Sequence, residues 1–150
     1  MTSAIVSALH VLALGIGLPS VFFRGRALKG PLDAEGLRRL FAADNAWGGA
    51  AVLWIGTGLL RAFGGLEKGA HFYLHSRLFW AKVALFATIL ALEAWPMVTF
   101  IRWRSARRSG RPLPQFDRLA RLVLVDDLET GLVVVIPFVA AAMARGLWLY

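Results

Sequence analysis

Leu78-Phe79-Trp80-Ala81-Lys82-Val83-Ala84-Leu85-Phe86-Ala87-Thr88-Ile89-Leu90-Ala91-Leu92 is the stretch that decides the fold class. It belongs to an apolar segment, about residues 77–101, long enough to cross ~30 Å of hydrocarbon as a helix. One charged residue, Lys82, lies within the quoted run. A lysine at the centre of a span costs roughly 2.5–3.5 kcal/mol on insertion scales. Lys82 is therefore either an anchor whose ammonium snorkels to the headgroups or part of a site.

Three further apolar blocks flank this one, at about residues 4–23, 45–63 and 119–144. Apolar residues make up 58% of the chain and charged residues 17%, against about 45–50% and 25% in soluble domains. The pattern predicts an all-α polytopic membrane protein, a four-transmembrane-helix bundle forming one domain over residues 1–150. Helices are the expected form because each satisfies its own backbone hydrogen bonds in lipid. The first block has no basic residue before it and no small-residue cleavage site after it, so it reads as a retained helix rather than a signal peptide.

The chain has no cysteine, which excludes disulfides, thiolate metal sites and cysteine nucleophiles. The net charge of +8 is concentrated in loops, which points to anionic lipid and not to nucleic acid. Arg24, Arg26, Lys29, Arg38 and Arg39 follow span one; Arg102, Arg104, Arg107, Arg108, Arg111, Arg118 and Arg121 surround the third loop. The positive-inside rule makes both loops cytoplasmic and puts both termini outside. The expected location is a bacterial cytoplasmic (inner) membrane, crossed several times. The first loop has the pattern of a short amphipathic interfacial helix over residues 32–43. Pro112 and Pro114 break the third loop, and Pro96 and Pro137 are candidate kinks.

The ionisable residues within the spans are the candidates for function. His10 lies about 9 Å into span one and Lys82 about 7–8 Å into span three, at 1.5 Å per residue. Both spans enter from the outside, so the two residues are expected at similar depth. Glu93 follows Lys82 by three helical turns and roughly 20°, which places both on one face. Asp126, Asp127 and Glu129 lie in the first turns of span four. They form either an acidic patch neutralised by Arg118, Arg121 or the first-loop arginines, or a polar route with Glu93. Trp47, Trp54 and Arg61 recur every seven residues along span two. Gly48, Gly49, Gly56 and Gly58, with Gly15 and Gly17 of span one, suit close helix packing. They also suit a gap for a flat ring with Trp54 as its wall. His71 and His75 have a spacing compatible with a metal, without a carboxylate or thiol between them.

Leu9-His10, Asp44-Asn45-Ala46-Trp47-Gly48, Thr57-Gly58-Leu59-Leu60-Arg61, Glu67-Lys68-Gly69, Phe79-Trp80-Ala81-Lys82 and Arg102-Trp103-Arg104 together resemble a bacterial family of uncharacterised four-helix membrane proteins. More distantly, the layout resembles the HemJ-type protoporphyrinogen oxidases and the CopD-like membrane domains. In the HemJ type a first-helix histidine and a third-helix lysine are the functional pair, associated with b-type haem. That resemblance implies His10 and Lys82 as the functional pair, with His10 as metal ligand to haem b and Lys82 as a catalytic and cofactor-binding group. Glu93, from the helix face it shares with Lys82, is the second catalytic candidate, and Trp54, from the gap it walls, is the third cofactor-binding one. Span four departs from it, carrying Asp126-Asp127-Leu128-Glu129 where the HemJ pattern has an Asn-Glu-Val-Pro-like segment.

Three functions follow as expectations. The first is a haem-binding oxidoreductase or electron carrier meeting a quinone or porphyrin, with its site between helices one and three. The second is a non-catalytic accessory subunit of a larger membrane complex, or a homo-oligomer. The third is a small proton-coupled transporter.

Overall fold

The structure, a computed structural model, describes residues 1–65, 71, 74–112 and 118–146 of the chain. Glu67-Lys68-Gly69, Pro114, Phe116 and Asp117 fall outside the described residues. Four long helices make the fold all-α: α1 (Thr2–Leu28), α2 (Ala34–Phe63), α3 (Arg77–Arg108) and α4 (Leu119–Ala144). Two of them, α1 and α3, are long and apolar enough to cross a membrane.

Large apolar side chains remain exposed on every helix, among them Val11, Val52 at 71%, Ile101 and Phe138 at 72%. Water does not favour such a surface, whereas lipid tails do.

The helices begin and end where local chemistry dictates. Asp33 caps α2 by accepting from the Glu35 and Gly36 backbone N–H groups, at 3.1 and 2.8 Å. Ser76 caps α3. Gly65 and Gly110, just beyond α2 and α3, have φ of 68° and 63°, a conformation that disfavours a side chain.

The expected interfacial helix over residues 32–43 is not separate. It runs into span two as the single helix α2, because nothing in Asp44-Asn45-Ala46-Trp47 breaks a helix. Spans one and three likewise extend to Leu28 and Arg108. Pro19, Pro96 and Pro137 lie within continuous helices.

The close backbone neighbours are α1 with α2, α1 with α4, and α3 with α4. Long side chains span the distance from α2 to α3. Trp54 meets Phe86 edge-on, with ring centroids 5.8 Å apart. The core forms two apolar layers. One holds Ala13, Val21, Trp47, Trp54, Ile89, Val133 and Ile136. The other holds Leu28, Leu37, Leu40, Phe100, Trp103 and Leu122. Arg24 lies on α1 between Val21 of the first layer and Leu28 of the second.

Candidate functional site

His10, Trp54 and Lys82 line one pocket of about 310 Å³. Its walls come mainly from α2 (Ile55, Gly58, Leu59, Phe63) and α3 (Phe79, Trp80, Val83, Phe86), with His10 entering from α1. The site expected between helices one and three therefore opens mostly between α2 and α3. The reason is packing: α2 lies tightly on α1 but reaches α3 only through long side chains.

A polar contact orients the histidine. The Thr57 hydroxyl donates to the Leu53 carbonyl at 2.7 Å. Its oxygen then accepts from His10 Nδ1–H at 2.8 Å. In the neutral ring this puts the acceptor lone pair on Nε2. The Trp54 ring lies 6.0 Å from the imidazole, tilted by 47°. Gly58 packs beside the ring: a Cβ there would sit 3.4 Å from His10 Cε1, in van der Waals contact.

Glu93 is elsewhere. It lies about 16 Å along α3 from Lys82, in a buried ionic cluster built around Arg24. Arg24 is completely buried. Its Nε donates to Asp126 Oδ1 at 2.6 Å and its Nη2 to Glu129 Oε2. Its Nη1 donates to Glu93 Oε1 and Oε2, both at 2.9 Å, and to Asp44 Oδ1 at 3.2 Å. Trp47 Nε1–H donates to Glu93 Oε2 at 2.9 Å. Arg104 holds the other Asp44 oxygen at 2.7 Å and also donates to Asn45 Oδ1 at 2.9 Å. The cluster thus ties all four helices together. Gly25 lets α1 approach α4 here, because a Cβ on it would collide with the Asp126 carboxylate.

The two expectations for span four's acids meet at this cluster. A first-loop arginine, Arg24, pairs with Asp126 and Glu129, and Glu93 joins them. Asp127 faces outward and pairs with Lys29 at 2.7 Å. Sequence reasoning counted Arg24 as loop charge and passed over Asp44. One signal was available: Gly17, Val21, Arg24 and Leu28 recur at three- and four-residue spacing, so Arg24 continues a buried stripe.

The glycines divide into two groups. Gly17 and Gly58 are packed, the former against Trp47 at 3.2 Å from an added Cβ. Gly15, Gly48, Gly49 and Gly56 have nothing within 4 Å of such an atom, so they do not bring these helices together. The His71 and His75 rings stack with centroids 4.1 Å apart, and His75 Nδ1 lies 2.8 Å from the His71 carbonyl oxygen. Among the described residues, no three His, Cys, Asp or Glu side chains group as metal ligands.

Comparison with known proteins adds a family and no activity. Residues 2–147 match the sequence model of DUF2214, a family described as predicted membrane protein. No curated protein and no solved structure matches. The chain belongs to the DUF2214 family of membrane proteins.

Proposed function

From that membership as premise, we propose that the chain is a polytopic protein of a bacterial inner membrane that binds a flat, mostly apolar redox ring in the α2–α3 pocket. All four helices cross the bilayer in this reading, with both termini outside. One observation carries it: an aromatic-walled pocket with His10 and Lys82 among its polar lining residues. Apolar pockets with a few convergent polar groups are the usual form of a small-molecule site.

Haem b is the leading occupant and a quinone the alternative. The donor chemistry fits haem. His10 Nε2 is the acceptor nitrogen once Nδ1–H is held by Thr57, the arrangement in which a partner on one ring nitrogen readies the other as ligand. Lys82 would serve either as an amine ligand or as the cation for a propionate. When bound, haem supplies one-electron chemistry. Trp54 and Phe86 would flank the ring and exclude water. Glu93 lies too far along α3 to act on the same occupant.

The test is an absorption spectrum of protein purified from haem-sufficient cells, beside His10→Ala and Lys82→Ala. A Soret band in the wild type, weakened in both variants, supports haem. Its absence in the wild type overturns haem, and quinone titration followed by tryptophan fluorescence then decides between a quinone and no ring ligand.

A second reading, an accessory subunit or homo-oligomer, draws support from α2. Gly49, Val52 and Gly56 share an open face there. Native mass spectrometry in mild detergent that shows only free protein counts against it.

A further inference from the structure

A second cavity, of about 550 Å³, opens between α1 and α2 and shares no lining residue with the α2–α3 pocket. Two arginines line it, Arg26 from α1 and Arg39 from α2. The rest of its wall is mainly apolar: Pro19, Phe23 and Ala27 of α1, and Ala42 and Ala43 of α2. Ser20 completes it, and its hydroxyl already donates to the Ile16 carbonyl at 2.7 Å.

The register of the two helices separates the charge from the apolar wall. Arg24 of α1 bonds Asp44 of α2, and Gly17 lies against Trp47 and Ala50, so the pair runs antiparallel from the turn at residues 29–33. At 1.5 Å per residue, Arg26 lies about 3 Å and Arg39 about 7–8 Å from the Arg24–Asp44 level towards that turn. Pro19 lies about 7–8 Å from the same level on the other side. The cavity is therefore cationic towards the turn and apolar away from it.

The positive charge at that end is not neutralised within the chain. Arg39 Nε donates to Glu35 Oε1 at 2.9 Å, and its Nη groups make no bond among the described residues. Glu35 also accepts from Arg38, so one carboxylate serves two guanidiniums. Arg26 forms no ion pair among the described residues. Asp33 is turned to the α2 backbone N–H groups that it caps, Lys29 pairs with Asp127, and Arg24 is enclosed by its own carboxylates. Arg26, Arg38 and Arg39 set against Glu35 leave a surplus of two positive charges at the rim.

We infer that the α1–α2 cavity binds a phospholipid whose headgroup carries a net negative charge, its phosphate held by Arg26 and Arg39 and its glycerol and first acyl carbons lying on Phe23, Pro19 and Ala42. Guanidinium groups match phosphate oxygens with paired N–H donors, and basic pockets between membrane helices take such headgroups. A soluble anion would leave the apolar wall in water. A zwitterionic lipid would bring its own cation to a rim that is already positive. The inference rests on the family's membrane character and is independent of what fills the α2–α3 pocket.

Native mass spectrometry of the full chain in dodecyl maltoside, titrated with phosphatidylglycerol or with phosphatidylcholine, tests this. The wild type is expected to retain one phosphatidylglycerol at concentrations where phosphatidylcholine is lost. Arg26→Gln combined with Arg39→Gln should weaken that retention roughly thirtyfold. Ala42→Trp keeps both charges, fills the cavity and should also weaken it. Arg102→Gln combined with Arg108→Gln removes the same charge outside the cavity and should leave it unchanged. All five side chains are exposed, so a loss of lipid reads binding and not folding. Equal retention of the two lipids overturns the inference. So does unchanged retention in the Arg26 and Arg39 variant or in Ala42→Trp, or an equal loss in the Arg102 and Arg108 variant. Glycerol phosphate competing as well as the intact lipid would make the ligand a soluble anion and overturn it too.

Discussion

The pocket of His10 and Lys82 and the cluster of Arg24 are built on the same four helices and handle polar groups in opposite ways. In the pocket, aromatic side chains stand apart and leave about 310 Å³ of space. In the cluster, a fully buried guanidinium is enclosed by carboxylates at 2.6–3.2 Å together with Glu129. The pocket keeps two half-buried polar groups, His10 and Lys82, beside an open space. The cluster closes on itself and joins all four helices. The contrast teaches where tolerance and intolerance lie: the first region should keep the fold on mutation, the second should lose it.

The sharpest way to break that contrast is Arg24→Met. It leaves Glu93, Asp126 and Glu129 without their cation, and removing one partner of a buried charge pair costs about 3–5 kcal/mol. Lys82→Met, by comparison, is expected to cost about 1 kcal/mol or less. Unfolding of both variants in detergent measures the difference. Equal stability of the two would show that the cluster does not hold the bundle together.

Gly25→Ala against Gly49→Ala sharpens it further. The first forces a methyl into the Asp126 carboxylate and is expected to destabilise by about 1–3 kcal/mol. The second meets open space, and on helix propensity gains about 0.5–1 kcal/mol. Thermal unfolding of the pair in one detergent reads the sign directly.

Within the pocket, Thr57→Val removes the acceptor of His10 Nδ1–H. The expected cost is about 1 kcal/mol, with a larger loss of affinity for any ligand held through Nε2. A ligand affinity unchanged in Thr57→Val would show that the imidazole needs no orienting contact.

The smallest effect lies outside both regions. Hydrogen bonds from Arg39 and Arg38 hold the Glu35 carboxyl below its ordinary range. A lowered folded-state value contributes stability above the unfolded pKa, and that contribution is lost as pH falls through the folded one. Wild type and Glu35→Gln should therefore differ slightly in melting temperature at neutral pH and converge in acid.

Much of the architecture was legible in the chain. The apolar run around Lys82 marked α3, and the edges of span four coincide with α4. Hydropathy is a local property, so it survives without knowledge of neighbours. The helix boundary between residues 43 and 45 was misplaced because polarity changes there while the backbone has no reason to stop. His10 and Lys82 were expected at one depth, and both line one pocket. Glu93 shared a helix face with Lys82, but a shared face says nothing about 16 Å of separation being too long for one site, a figure of about that size following from helix rise alone.

By itself, the sequence determined four helices, their apolar surfaces and the residues that carry charge into them. Each follows from local composition and from the need of a backbone to satisfy its own hydrogen bonds. Only the tertiary structure decided that Arg24 turns inward to meet Asp44, Glu93, Asp126 and Glu129. Pairing energies depend on distance and burial between residues remote in sequence, and Arg24 and Glu129 are brought together by the packing of α1 on α4.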